Sequence, residues 1–256
     1  IRIHSSSPTS DEDFFCLNLA RACADFVVVT GRILRDEPLY SSSIQGPHAG
    51  DLLRWRAALG IRHPARTILL TRSPDVDFDH QAFPSSPRSL QATDNHVTIV
   101  TAHDSVAPLV SCLRSRPSMC ASPESAHQFW NERGSITIQP QAEPSLTGLL
   151  ESLPRHAVTT IEAGPSTTDA LYTNPRSGFP NCLLLSQYRG SFDLAASGSS
   201  WDEHTVDTAL QLPVIKEAFE DVAWCDQGLW QFSCWRRRGV LDEAEGQPRT
   251  CDNEHG

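Results

Sequence analysis

Lysine is almost missing from this chain: Lys216 is the only one in 256 residues, and arginine carries the rest of the fixed positive charge. A mechanism built on a lysine amine, such as a Schiff base, therefore has little to draw on. A surplus of positive charge is also missing. Lys+Arg 21 against Asp+Glu 31 leaves a formal net charge of -10, which argues against nucleic acid or an anionic membrane as a partner held by bulk charge. There is no apolar run of about 18 residues, so no helical membrane span is expected. There is no C-x-x-C pair, and the ten histidines have no ligand spacing, so no metal is expected. The eight cysteines (16, 23, 112, 120, 182, 225, 234 and 251) are scattered. In a chain of this length they read as buried thiols of a reducing compartment, the cytoplasm or an organelle interior. The chain opens on Ile1 without a basic-then-apolar leader and reads as a piece of something longer.

What is present alternates between strand-like and helical runs. Residues 1–4 read as the end of a strand and residues 5–9 as a turn. Ser10 then has the chemistry of an N-cap, with Asp11, Glu12 and Asp13 in the first turn. Phe14, Leu17, Ala20 and Ala24 fall at helical spacing and predict an amphipathic helix over about 11–24. The β-branched run at 26–30 predicts a strand buried on both faces. After it come a Gly31 turn, one short helical turn and a stop at Pro38. A Ser-rich loop over 41–63 surrounds a helix at 51–59, and strands are expected at 66–71 and 97–101. The polar stretch 111–133 reads as a surface insertion, 136–139 as a strand and 145–153 as a helix. Beyond residue 180, a buried-type strand at 182–187 precedes a Gly/Ser loop over 189–200 that suits a flexible cover. Two alternating runs at 217–226 and 229–238 flank Gly228 as an antiparallel hairpin. Its Trp224, Trp230 and Trp235 suit a core or a dimer interface better than base stacking. Residues 239–256 read as an acidic, disordered tail. No internal repeat is present. The pattern predicts one α/β domain over 1–238, with a mostly parallel central sheet flanked by helices and an antiparallel C-terminal hairpin.

The stretch around which this pattern is organised is Val158–Leu171. A β-rich run ends at Glu162, Ala163 and Gly164 form a turn, and Pro165 and Ser166 open a helix-like segment. A strand that feeds a glycine turn and a helix start presents unpaired backbone N–H groups, which suit a phosphate or diphosphate. Gly164 lets a ligand approach the backbone closely, and Glu162 stands at the strand exit to meet the rest of it. An ordinary βα turn with a solvated glutamate satisfies the same residues.

Two motifs in order give the pattern a family. Leu19–Asp25, Val27–Gly31 and Leu34–Leu39 are similar to the helix–strand–"DDP-L" signature of the reductase domain of riboflavin biosynthesis enzymes. Ile161–Ser166 resembles that family's second signature. The resemblance covers about residues 5–238 in outline and is specific only in these two stretches. It implies a dihydrofolate-reductase-like fold, NADPH as cofactor, a homodimer and a small phosphorylated substrate. That substrate is a pyrimidine carrying a ribosylamino 5-phosphate, reduced at the ring-opened C1. The resemblance places Thr30, Gly31, Asp36, Ala163, Gly164, Pro165, Ser166 and Thr167 at the cofactor, and Arg72 at its 2'-phosphate, where a fork-shaped cation is well suited. Arg21, Leu39 and Glu162 fall on the substrate side, Arg21 at its phosphate. No residue is assigned to the chemical step, which is mostly orientation.

The departures from the family bear on the substrate. Its first strand is missing here, a tryptophan before the first helix is replaced within 5–9, and Arg32 stands where the family has threonine. A substrate-phosphate arginine is lost within Tyr40–Ser43, and no deaminase half is present. Two other readings stay open: a non-catalytic nucleotide-binding or scaffolding descendant, and a dihydrofolate-reductase-like enzyme for another small substrate. At single residues, Arg21 and Asp25 at i,i+4 could simply stabilise their helix end, Asp36 could end a helix in solvent, and Arg72 could be an exposed loop arginine.

Overall fold

Val27, Val28 and Val29 are completely buried, and the main sheet is built outward from the strand that carries them. The computed structural model describes residues 10–86, 95–164, 167–168, 171–172, 180–190 and 212–238. These residues fall into two compact units, one holding those up to Thr168 and the other those from Leu171 on. The expected features at 1–9, at Pro165 and Ser166, in most of the 189–200 loop and in the 239–256 tail lie outside the described residues.

In the first unit, β1 (Phe26–Thr30) pairs in parallel with β2 (Arg66–Leu70) on one side and with β7 (Thr159–Glu162) on the other. Val28 faces Ile68 across one ladder and Ile161 across the other. β3 (Asn95–Ala102) continues the parallel run beside β2, followed by β6 (Gly134–Gln141). The antiparallel strands β5 (Gln128–Asn131) and β4 (Cys120–Ala121) close that edge. The seven strands thus lie in the order β4-β5-β6-β3-β2-β1-β7. Apolar strand residues such as Leu69, Ile99, Ile136 and Ile138 form one core with Leu109, Leu113, Phe78, Phe83 and Phe129.

Helix α1 (Asp11–Cys23) starts as predicted, with Ser10 Oγ accepting from the N–H groups of Glu12 and Asp13, both at 3.2 Å. Its buried face differs from the one the apolar spacing indicates. Phe14 is 38 % exposed, while Asn18 and Arg21 are 1 % and 3 % exposed. Both polar side chains have distant partners: Asn18 Oδ1 accepts from the Gln45 N–H at 2.8 Å, and Arg21 pairs with Glu162. A paired polar group can be buried at little cost, which periodicity does not register. Helix α2 (Gly31–Asp36) follows β1 directly. Helix α3 (Ala49–Ala58) carries the buried Arg56, whose Nη1 donates to the carbonyls of Ala22 (3.0 Å) and Ala24 (2.7 Å). It thereby satisfies acceptors that the C-terminus of α1 leaves open.

The expected insertion at 111–133 is instead part of the fold. Helix α4 (His103–Arg114) extends into it, buries Leu109 and Leu113, and tolerates Pro108. Met119 and Phe129 belong to the core. Helix α5 (Leu146–Ser152), capped by Ser145, leads back to β7.

The second unit holds a three-stranded antiparallel sheet in the order β8-β10-β9 and helix α6 (Leu212–Ala218). Its strands are β8 (Cys182–Tyr188), β9 (Phe219–Gln227) and β10 (Trp230–Arg237). The hairpin turns as expected at Gly228, whose φ of 60° lies in the left-handed region that favours glycine. Residues 217 and 218, expected as strand, end α6. β8 is not the expected fully buried strand: its exposure alternates and Leu184 is 51 % exposed, as in a sheet wetted on one face. Trp224 is 65 % exposed, whereas Trp230 is half-buried with its ring 5.3 Å from that of Tyr188.

A mostly parallel sheet with flanking helices in the first unit and an antiparallel C-terminal hairpin in the second are the α/β elements expected. Among the described residues no helix is long and apolar enough to cross a membrane.

Candidate functional site

The order of the strands points to one place. From β1 the chain steps outward through β2, β3 and β6, then returns to lay β7 on the opposite side of β1. Such a reversal opens a crevice beyond the C-terminal ends of the two strands where it occurs, and open parallel sheets bind ligands there. Here those ends are Thr30-Gly31 and Glu162-Ala163-Gly164, with Val29 and Glu162 in register.

The two glycines at this crevice differ. A Cβ on Gly31 would lie 2.8 Å from Thr71 Oγ1, so the absence of a side chain there lets α2 start against the end of β2. A Cβ on Gly164 would meet nothing within 4 Å. Among the described residues, packing does not call for glycine at 164. The Gly164 carbonyl accepts from the N–H groups of Thr167 (2.9 Å) and Thr168 (3.2 Å), so a helical turn begins at that residue.

Beside the turn is a closed polar cluster. Arg21 Nε and Nη2 donate to the two carboxylate oxygens of Glu162, each at 2.7 Å, and Nη1 donates to the Ser43 carbonyl at 3.1 Å. The Tyr40 hydroxyl donates to Glu162 Oε2 at 2.9 Å, and the Arg21 guanidinium lies 5.5 Å from the Tyr40 ring centre. The Arg21 and Glu162 side chains are 4 % and 9 % exposed. Burial weakens the Arg21 cation, but the hydrogen bonds and charge of Glu162 outweigh it and hold the guanidinium above its ordinary pKa. Burial, and then the negative charge of Glu162, push the Tyr40 hydroxyl well above its own. The half-buried Glu37 carboxyl is also raised, first by loss of hydration and then by Glu162 and Asp36, against the pull of Arg21.

Thr30 and Gly31 thus stand beside Glu162, Ala163 and Gly164 at adjacent strand ends, and Arg21 joins them through Glu162. Asp25, the other partner considered for Arg21, accepts instead from the Val158 N–H at 2.8 Å. Asp36 lies on α2, with Arg32 Nε at 3.4 Å from its carboxylate. Gly31 also lines a cavity of about 250 Å³, with Leu34, Arg35, Leu69, Val76 and His80 among its walls. The Leu39 side chain is 84 % exposed while its carbonyl accepts from the Gln81 amide. Arg72 is exposed just past β2, with Nε donating to the Pro144 carbonyl at 3.4 Å. Pro165 and Ser166 are not described. Sequence reasoning missed Tyr40, which stands among serines where no periodicity marks it. It also missed Glu37, whose signal was only its place in an acidic pair before proline.

No protein-family model and no curated protein matches the chain. Among solved structures 20 chains match. One of them, "Acinetobacter baumannii RibD, form 2", aligns with 90 % of this chain and 52 % of its own, at 10 % identity and a TM-score of 0.49. The chain spans about half the length of that structure.

Proposed function

We propose that this chain is an NADPH-dependent reductase similar to the riboflavin-pathway enzyme acting on 5-amino-6-(5-phosphoribosylamino)uracil. The observation that carries the reading is the Gly164 turn. It stands at the reversal between β1 and β7, and no described residue packs against the place of a Cβ on its glycine. That arrangement fits the diphosphate of a dinucleotide, which needs close backbone approach beside a helix start. When bound, the cofactor supplies the hydride that reduces the ring-opened ribosyl C1. The chain's own residues bind and orient: Ala163, Gly164 and Thr167 hold the diphosphate, Thr30 and Gly31 form the facing wall with Asp36 beyond, and the exposed Arg72 takes the 2'-phosphate. Glu162 presents the substrate side, held in place by Arg21 and Tyr40. We place the protein in a reducing compartment as a homodimer, acting on a small phosphorylated molecule and not on nucleic acid.

One observation favours a second reading, a non-catalytic nucleotide-binding module. Arg21 spends its fork on Glu162, so two of the three substrate-side residues occupy each other. Titration with NADPH against NADH, followed by tryptophan quenching or calorimetry, tests the cofactor site. Micromolar NADPH binding is expected, lost in Gly164→Asp and no longer preferred over NADH in Arg72→Ala. Failure of both nucleotides to bind sinks both readings. Binding without turnover of the phosphoribosylamino substrate leaves the second.

A further inference from the structure

The second unit carries a feature that the reductase reading does not use. Cys182 opens β8 and Cys234 lies near the end of β10. In the antiparallel ladder Cys182 faces Arg236 and Cys234 faces Leu184, so the cysteines are diagonal neighbours on one face. Their sulfurs are 3.5 Å apart. Diagonal pairs are ordinarily more widely separated than facing ones. The ladder between β10 and β9 shifts register between Cys234 and Trp235, and a bulge of this kind adds local twist that re-aims side chains.

We infer that Cys182 and Cys234 form a dithiol site that is oxidised to an intramolecular disulfide by a small-molecule disulfide of the glutathione class. A disulfide bond is about 2.05 Å long, so closure needs about 1.5 Å of sulfur movement, within reach of side-chain rotation. Cys182 is exposed and Cys234 half-buried, so the pair is open to a small reagent.

The exchange proceeds in two displacements. The thiolate of one cysteine attacks the small disulfide, forms a mixed disulfide and expels one small thiolate. The sulfur of the other cysteine then attacks the first protein sulfur, closes the protein disulfide and expels the second. Two protein thiols are oxidised, one small disulfide is reduced to two thiols, and the two protons pass to the expelled sulfurs. Although the residue is exposed, partial burial of its sulfur, and then the adjacent Cys234 sulfur, push the Cys182 thiol up to about 12. The bond spans 52 positions of sequence and ties the edge strand β8 to the hairpin, so the oxidised form loses a large share of its unfolded-state freedom.

Cys225 supplies an internal control. It faces Phe232, on the same face as Cys234 and diagonal to it, yet its sulfur contact is with the Asp226 carbonyl at 3.9 Å. The test equilibrates the full chain in buffers from all-reduced to all-oxidised glutathione, blocks free thiols with iodoacetamide and maps the peptides by mass. The expected product is a Cys182–Cys234 linked peptide that grows with the oxidised fraction and disappears with dithiothreitol. A higher melting temperature in the oxidised protein is expected with it. Cys182→Ser and Cys234→Ser, checked for folding by circular dichroism, should each lose the link and keep a glutathione adduct on the remaining cysteine. Cys225→Ser should form the link unchanged. Separate glutathione adducts on Cys182 and Cys234 without a link, or a link that runs through Cys225, would overturn the inference.

Discussion

At the scale of residues, the Arg21–Glu162 pair is the most consequential contact of the first unit. Both side chains are nearly buried and joined by two 2.7 Å hydrogen bonds. Removing one partner strands a charge, which costs about 3–5 kcal/mol, whereas replacing both with apolar groups is often close to neutral. Arg21→Met should therefore lower the urea-unfolding free energy by about that much, and Arg21→Met with Glu162→Leu should recover most of the loss. Additive losses would show that the pair does not act as a unit. Glu37 gives a prediction of opposite sense. Its folded pKa lies above the ordinary 4.5, so its favourable contribution is complete below that value and is lost as pH rises through the folded pKa. Glu37→Gln should be more stable than the parent at pH 7, with the difference fading as pH falls toward 4.5. A difference independent of pH would rule out Glu37 as its source. Much of this scale was legible: Glu162 and Arg21 were both singled out by the motifs. Their direct contact was not, because 141 positions separate them and spacing is silent on such pairs. Tyr40 was hidden for the same reason.

At the scale of elements, local chemistry was legible and long-range context was not. Ser10 caps its helix as side-chain type and position foretell, while Ser145, read as a helical residue, is its helix's cap, and the β-branched run of β1 is buried as a central parallel strand is. Helix α4 went unread, its second half taken into the polar stretch 111–133, although Val106, Leu109, Val110 and Leu113 keep helical spacing. The β5–β6 turn shows what a local reading overlooks. Gly134 has φ 150°, and a Cβ there would run into the Asn95 backbone carbonyl on the neighbouring strand. Asn131 Oδ1 accepts from the N–H groups of both Arg133 (2.8 Å) and Gly134 (3.1 Å) and holds the turn. Gly134→Ala should destabilise the protein by about 3 kcal/mol or more, from overpacking together with backbone strain. A denaturant midpoint left unchanged would show that β3 and β6 can part without cost.

At the scale of the whole molecule, the alternation of strands and helices made the fold class legible, while the contrast between a seven-stranded and a three-stranded sheet emerged only from pairing. The class of β8 was misread because a run of leucines reads alike in a parallel core and in an antiparallel sheet. Ligand linkage offers a test at this scale. NADPH at about 100 times its dissociation constant should stabilise the folded state by about 2.7 kcal/mol and raise the melting temperature by a few degrees. Gly164→Ala should melt near the parent temperature without ligand, since its Cβ meets none of the described residues, and should show a smaller shift with NADPH. A shift identical to the parent's would move the cofactor away from the turn.

The scarcity of lysine has a consequence for how the protein is handled from outside. Lys216 stands exposed in the last turn of α6. Every reaction that acylates a side-chain amine, whether an acetyl group, an isopeptide-linked tag or a dye ester, converges on one nitrogen. Amine-directed labels thus find a single side-chain address in this sequence, and a Lys216→Arg exchange erases it while keeping the charge.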